Sequence, residues 1–262
     1  MKFERILCVL LTICMIIAGY VFHREDQKMA EKIRMLEGES DLYGKKMIVL
    51  GDSLTIGAES QGTLGRTWIE LLGEKYHMTV YNYGISGTKV SSGGDAERTD
   101  DMCRRIDDIL AEHETCDIFI LMGGANDKNQ NVPLGSISDT SDQTFRGAVR
   151  EILHKVSEKY QKNCRVLAMT TYHRYDTPNS IGIYEIEYVN AMLDACASLG
   201  VPCFNNYTFS GLTLAEYDNG IPAYAWADSG LAEGKDASHH FSAEAYEYLM
   251  PVYEHFIGDA VN

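Results

Sequence analysis

Proline and positive charge are both scarce in this sequence of 262 residues. Only 5 prolines occur beside 23 glycines, and 45% of the residues are hydrophobic. This composition fits one large globular domain and excludes a disordered, collagen-like or coiled-coil protein over most of the length. Lys and Arg number 23 against 38 Asp and Glu, a net charge of −15. Nucleic acid and anionic lipid surfaces are therefore excluded as main partners, because long-range repulsion would oppose the encounter.

The 7 cysteines contain no CxxC pair. Cys8 and Cys14 lie in an apolar run near the N-terminus, which leaves an odd number in the rest of the chain. This spacing argues against a zinc site and against a dense disulfide framework. We expect the remaining cysteines to be small buried residues, although one pair, such as Cys196 with Cys203, could be oxidised outside a cell.

One long apolar run covers residues 6–22, and Lys2 and Arg5 precede it. A helix of this length spans roughly 25 Å, at the short end for a bilayer core. Because basic residues flank its N-terminal side, the run predicts an uncleaved membrane anchor over 1–23 and an exported body. A charged juxtamembrane stalk over 24–45 would follow the anchor. A cleaved signal peptide and a secreted protein are the alternative.

From residue 46 onwards, short apolar segments alternate with amphipathic segments. The apolar segments predict strands buried on both faces, at Met47–Leu50, Thr79–Tyr83, Asp117–Met122, Arg165–Met169 and Val201–Phe204. The amphipathic segments predict helices at Trp68–Tyr76, Asp100–Glu112, Thr144–Tyr160, Tyr184–Leu199 and Ala243 to about Phe256. This alternation predicts an α/β domain over 46–262, in which helices cover both faces of a parallel sheet.

Polar or glycine-rich turns follow these strands, at the edge where parallel sheets bind ligands. Ser53, Gly87 and Asn126 follow the first three strands, and Asp236 and His239 come shortly before the last helix. A serine at a strand-to-helix turn becomes a nucleophile when a histidine accepts its proton and a carboxylate orients that histidine. Backbone N–H groups and a side-chain amide at the same edge would supply the hydrogen bonds that an oxyanion needs.

These turns resemble the four motifs of the SGNH (GDSL) hydrolases. The sequence contains GDSLTIG at 51–57, NYGISG at 82–87, GAND at 124–127 and DASH at 236–239, in the order of the family. The resemblance covers about residues 46–256. It implies a three-layer α/β/α, flavodoxin-like fold with about five parallel strands, and a hydrolase that uses neither a metal nor an organic cofactor.

The resemblance also implies a role for each candidate residue. Ser53 would be the nucleophile, His239 the general base and Asp236 the acid that orients it. The N–H groups of Ser53 and Gly87 and the side chain of Asn126 would form the oxyanion hole.

The choice of base has an alternative, because two histidines are adjacent. The DxxH spacing from Asp236 selects His239, whereas counting back from the helix-capping Ser242 with the usual family spacing selects His240. We favour His239, because the spacing between the aspartate and the histidine controls their direct hydrogen bond.

Two further segments have two readings each. Residues 173–175 follow the fourth strand and either line the pocket or belong to an ordinary surface loop. Residues 211–228 form a long insertion that contains Tyr217, Tyr224 and Trp226. These aromatic residues either contact the substrate or serve only in packing.

The sequence thus predicts a serine esterase that cleaves a carboxylic ester through an acyl-enzyme, anchored in a membrane with its domain outside the cytoplasm. The exported location and the range of the family favour O-acetyl esters of a carbohydrate or a cell-envelope glycan. The alternatives are a lipase or lysophospholipase, an acyl-thioesterase, and a non-catalytic glycan-binding module on the same fold.

Overall fold

A computed structural model of the chain describes Gly19, Phe22–Arg24, Asp26, Lys28, Met29 and residues 40–57, 66–95, 97–174, 177–211, 240–241 and 243–261. The chain divides into two units, Met1–Asp41 and Leu42–Asn262. In the first unit, the described residues before Ser40 are helical. None of the helices formed by the described residues is long and apolar enough to cross a membrane. Most of the predicted anchor lies outside the described residues, so the anchor stays a prediction.

The second unit contains a five-stranded sheet. Its strands are β1 (Lys46–Gly51), β2 (Thr79–Gly84), β3 (Ile118–Met122), β4 (Arg165–Met169) and β5 (Cys203–Phe204). The strands are ordered β2-β1-β3-β4-β5, and all four neighbouring pairs are parallel. The prediction of a parallel sheet of about five strands is confirmed.

Helices connect the strands and cover the sheet. They are α1 (Ser53–Ile56), α2 (Trp68–Tyr76), α3 (Met102–Glu112), α4 (Ala125–Asn129), α5 (Phe145–Tyr160), α6 (Glu185–Leu199), α7 (Asn206–Phe209) and α8 (Ala243–Val261). The boundaries of α2 and β4 match the sequence prediction.

The two faces of the sheet pack against different helices. In β1, Ile48 and Leu50 join buried residues of α3, α5 and α6 in one core, whereas Met47 and Val49 join buried residues of α2 and α8 in the other. Because successive side chains of a strand point to opposite faces, each central strand contributes to both cores. The result is the predicted three-layer α/β/α sandwich.

Most other elements differ from the sequence prediction by one or two residues at a boundary, and the differences at β5 and α8 have a physical reason. β5 begins at Cys203 rather than Val201, because Pro202 has no N–H group to donate to a ladder, although its carbonyl accepts a hydrogen bond from Ala168. α8 continues to Val261, because Ile257 remains fully buried beyond the predicted end.

The five cysteines of this unit are free thiols, and all but the half-buried Cys203 are buried.

Candidate active site

The order of the strands places the site at one point of the sheet edge. The chain leaves β1 for β2 on one side and crosses to β3 on the other, and such a switch point forms a crevice at the carboxyl ends of the strands. Ser53 begins α1 directly after β1, and Asn126 lies in α4 after β3. Both predicted residues therefore border this crevice.

The turn that carries Ser53 is held from two sides. The carboxylate of Asp52 caps α1 by accepting a hydrogen bond from the N–H group of Leu54 at 3.0 Å. The hydroxyl of Tyr246, in α8, donates to the carbonyl of Leu54 at 2.9 Å. Ser53 itself is half-buried, and Gly57, with a φ of 78°, caps the C-terminal end of α1. The serine is thus presented at the sheet edge by a rigid turn.

The glycine motif after β2 has a packing role at Gly84. A Cβ on this residue would lie 2.3 Å from the backbone nitrogen of Ile56, so only glycine allows β2 to approach α1 this closely. Asn82 strengthens the same contact by donating to the carbonyl of Thr55 at 2.8 Å.

The side chain of Asn126 joins the turns that follow β1 and β2. Its Nδ2 donates to the carbonyl of Thr88 at 2.9 Å and lies 3.5 Å from Oδ2 of Asp52. Thr88 directly follows Gly87, which has a φ of 78° and whose carbonyl accepts from Gln130 at 3.2 Å. The three predicted contributors to the oxyanion hole therefore belong to turns that contact one another through Asn126.

Arg105 supports the candidate site, and the sequence analysis did not identify it. From α3, its guanidinium donates to the carbonyl of Tyr83 at 2.6 Å and to that of Gly51 at 2.8 Å. It therefore ties the ends of β1 and β2 together directly beneath the turn that carries Ser53. Burial lowers the pKa of Arg105 to about 10, which still leaves it charged at neutral pH. The only signal in the sequence was a charged residue next to the buried stripe of an amphipathic helix.

Two buried aspartates flank the candidate residues. Burial raises the pKa of Asp52, while the hydrogen bond from Leu54 and the charges of Arg174, His240 and Arg105 oppose this rise. Burial also raises the pKa of Asp127, to about 6.

The segment after β4 is tied to the interior at Arg174. Its side chain forms a buried ion pair with Glu185 of α6 at 3.0 Å, and its backbone N–H donates to the same carboxylate at 2.8 Å. Because the charge of Arg174 also acts on Asp52, Arg174 belongs to the surroundings of the site rather than to an exposed loop. His173 stacks on Tyr207, with ring centroids 4.3 Å apart. Tyr175 lies outside the described residues.

The predicted acid and base, Asp236 and His239, lie outside the described residues, as does the insertion after Gly211. His240 is described and half-buried, and it interacts electrostatically with Asp52. The choice between the two histidines stays a prediction. Within the described ranges, no group of three or more His, Cys, Asp or Glu could hold a metal ion; with Asp236 and His239 outside those ranges, the predicted absence of a metal also stays a prediction.

Comparison with known proteins gives one family. Residues 49–248 match the model of the GDSL-like lipase/acylhydrolase family, which is about three quarters of the chain and includes all four motifs. This confirms the resemblance found in the sequence. Among curated proteins, none matches this chain in sequence.

Several solved structures share the fold. A protein from Lactobacillus plantarum is 22% identical, with a TM-score of 0.65 over 83% of this chain and 98% of that chain. A carbohydrate acetylesterase family member from Sinorhizobium meliloti is 19% identical, with a TM-score of 0.57 over 83% and 99% of the two chains. A Bacteroides ovatus protein that bears the name of a GDSL-like lipase is 18% identical, with a TM-score of 0.56 over 82% and 98%. At these identities, the likeness shows the fold.

Proposed function

The chain belongs to the GDSL-like lipase/acylhydrolase family, and on that premise we propose that it is a serine esterase that removes acetyl groups from a carbohydrate or a cell-envelope glycan. The family and the fold make it an SGNH-type hydrolase of ester bonds. The roles of individual residues and the acetylated substrate are the parts that we propose.

In the proposed reaction, Oγ of Ser53 attacks the ester carbonyl while His239, oriented by Asp236, accepts the hydroxyl proton. The negative charge on the carbonyl oxygen is stabilised by the N–H groups of Ser53 and Gly87 and by the amide of Asn126. The tetrahedral intermediate then expels the alcohol, which takes the proton from the imidazolium. Water, deprotonated by the same histidine, cleaves the acyl-enzyme and releases the acid.

The position of the Asn126 amide carries this proposal. One of its hydrogens is donated to the carbonyl of Thr88 at 2.9 Å, while the contact with Asp52 at 3.5 Å is at the limit of a hydrogen bond. The second hydrogen is therefore directed towards the turn of Ser53 and is held only weakly there. A developing oxyanion next to Ser53 can accept it at little cost in reorganisation.

Two observations support an acetylated glycan as the substrate. The fold is shared with a protein named as a carbohydrate acetylesterase family member. The apolar run over 6–22 after Lys2 and Arg5 is typical of a protein whose domain lies outside the cytoplasm, where such glycans occur. We propose that the run anchors the protein in a membrane, and that secretion after cleavage is the alternative.

The proposal is tested with the whole chain and a fluorophosphonate probe, which labels activated serines. We expect labelling at Ser53 and a loss in kcat of on the order of 10⁴-fold in Ser53→Ala, because the triad acts as a unit. Ser157→Ala is the matched control, since Ser157 is exposed on α5. Substrates are p-nitrophenyl esters from acetate to palmitate and acetylated glycans, from which released acetate is measured.

The nucleophile, the acetyl specificity and the catalytic function are each contradicted by a different result. Labelling at another residue, or normal turnover by Ser53→Ala, would exclude Ser53 as the nucleophile. A preference for palmitate over acetate would favour a lipase, and binding of glycans without release of acetate would favour a non-catalytic module.

A further inference from the structure

Arg98 lies against Gly87, the glycine whose N–H group we assign to the oxyanion hole. A Cβ on Gly87 would lie 3.1 Å from Nη1 of Arg98 and 3.9 Å from its Cζ. In the same turn, Ile85 and Ser86 are exposed to solvent and Gly87 is half-buried. A substrate whose carbonyl oxygen binds the N–H group of Gly87 is therefore placed beside a guanidinium.

Asp100 holds this guanidinium in one orientation. Nε and Nη2 of Arg98 donate to the two carboxylate oxygens of Asp100, each at 2.8 Å. The hydrogen bonds of this pair raise the pKa of Arg98 and lower that of Asp100, so both remain charged at neutral pH. The bidentate contact uses one edge of the guanidinium. Because it already orders the side chain of Arg98, less conformational entropy is lost when a ligand binds.

The other edge of the guanidinium is available to a ligand. Within the part of the chain that the structure describes, no acceptor binds Nη1 of Arg98, and the side chain is 34% exposed. A carboxylate can therefore reach Nη1 without displacing Asp100.

The other arginines near the site are committed to the fold. Arg105 donates to the carbonyls at the ends of β1 and β2, and Arg174 is buried in its pair with Glu185. Arg98 differs in being accessible. In a chain with a net charge of −15, anionic substrates are repelled at long range. A fixed cation beside the proposed position of the reacting carbonyl provides a local attraction that counteracts this repulsion.

We propose that Arg98 binds a carboxylate on the alcohol part of the substrate, so that the favoured substrates are acetyl esters of acidic sugars. This rests on the proposed esterase function of the same site. The guanidinium matches a carboxylate in shape and charge, and such charge-assisted hydrogen bonds are stronger than neutral ones. The carboxylate contributes mainly to substrate binding, because it is present before and after the ester is cleaved.

The test compares two acetyl esters that differ in charge, 3-acetoxybenzoate and the neutral 3-acetoxybenzamide, by acetate release from the whole chain. For the wild type, we expect kcat/KM to favour the carboxylate by about tenfold or more, and 0.5 M NaCl to reduce this preference. Arg98→Gln should remove most of the preference through an increase in KM, and Arg98→Lys should retain part of it. Arg104→Gln is the matched control, since Arg104 is exposed on α3.

The outcomes separate this inference from the function on which it rests. Equal rates for the two esters in the wild type would overturn the inference and leave the esterase intact. An equal loss for both esters in Arg98→Gln would also overturn it, because that result indicates that Arg98 only holds the Gly87 turn. Hydrolysis of neither ester by the wild type would overturn the proposed function together with the inference.

Discussion

The turn that carries Ser53 and the turn that carries Asn126 each contain a fully buried aspartate, but the surroundings of the two carboxylates differ. The carboxylate of Asp52 accepts one backbone N–H, and the cations of Arg174 and Arg105 oppose the rise in its pKa. Asp127 accepts the N–H groups of two successive residues, at 2.9 and 3.1 Å, and its charged neighbour is another aspartate.

This difference indicates two kinds of support for one site. Asp52 directly precedes Ser53 and lies in the field of Arg174 and Arg105, so its ionisation belongs to the electrostatic surroundings of the proposed nucleophile. The carboxylate of Asp127 holds the backbone of Val90 and Ser91, in the segment that follows Gly87 and Thr88. Asp127 therefore holds the loop that follows the proposed oxyanion-hole residue Gly87.

The largest expected effect concerns the histidine that acts as the base for Ser53, in the turn that contains Asp52. The base must reach the hydroxyl with one ring nitrogen while the other donates to Asp236. We expect His239→Ala to lose on the order of 10³-fold or more in kcat, and His240→Ala to lose roughly tenfold or less. Rates from pH 5 to 9 should show an ionisation in the histidine range that is absent from the inactive variant.

A reversed ranking of the two variants would make His240 the base and would give Asp52 a direct part in stabilising the imidazolium. Near-normal activity of both variants would exclude a histidine-dependent serine mechanism.

The next effect concerns Asn126. We expect Asn126→Ala to reduce kcat by roughly 10²–10³-fold with little change in KM, because its amide acts only on the charge that develops in the transition state. Asn129→Ala is the control, since Asn129 is exposed on the same short helix. A loss that appears in KM alone would instead make Asn126 a substrate-binding residue.

The sequence predicts the fold well, and it places Ser53 and Asn126 at one edge of the sheet, because the relevant signals are local. The strands β1 and β3 are short apolar runs that end at GDS and GAND, and parallel strands bring such ends to one edge. The boundaries of α2 follow from an amphipathic segment whose first turn has a capping box between Thr67 and Glu70.

The contacts of the arginines could not be predicted in this way. In the sequence, Arg98 precedes an amphipathic helix and Arg105 lies within it. Exposure to solvent is the usual outcome for a charged residue at either place. Their contacts with the turns after β1 and β2 depend on how α3 lies against the sheet edge, which is a long-range packing result. The choice between His239 and His240 as the base likewise depends on a spacing difference of one residue. The pattern of strands and helices does not distinguish two adjacent residues.

The smallest expected effect concerns Asp127, in the turn that carries Asn126, and is measured as the pH dependence of the free energy of unfolding. Folding raises the pKa of Asp127 from the ordinary 3.8 to about 6. Between these values the unfolded chain releases the proton while the folded protein keeps it, so stability falls as pH rises through this window. Above about pH 6 the folded protein contains the buried charge. Two pKa units correspond to about 3 kcal/mol, and the substituted amide in Asp127→Asn cannot ionise. We therefore expect the free energy of unfolding of the wild type, relative to Asp127→Asn, to decrease by about 3 kcal/mol from pH 3.5 to pH 7, as measured by urea unfolding.

The exposed Asp108→Asn is the control, for which the difference in unfolding free energy from the wild type should vary with pH by less than about 0.5 kcal/mol. A difference between wild type and Asp127→Asn that is independent of pH would show that Asp127 is ionised at no cost. Asp127 would then be held ionised despite its burial, and the electrostatic contrast with Asp52, whose cationic neighbours only partly oppose the effect of burial, would be lost.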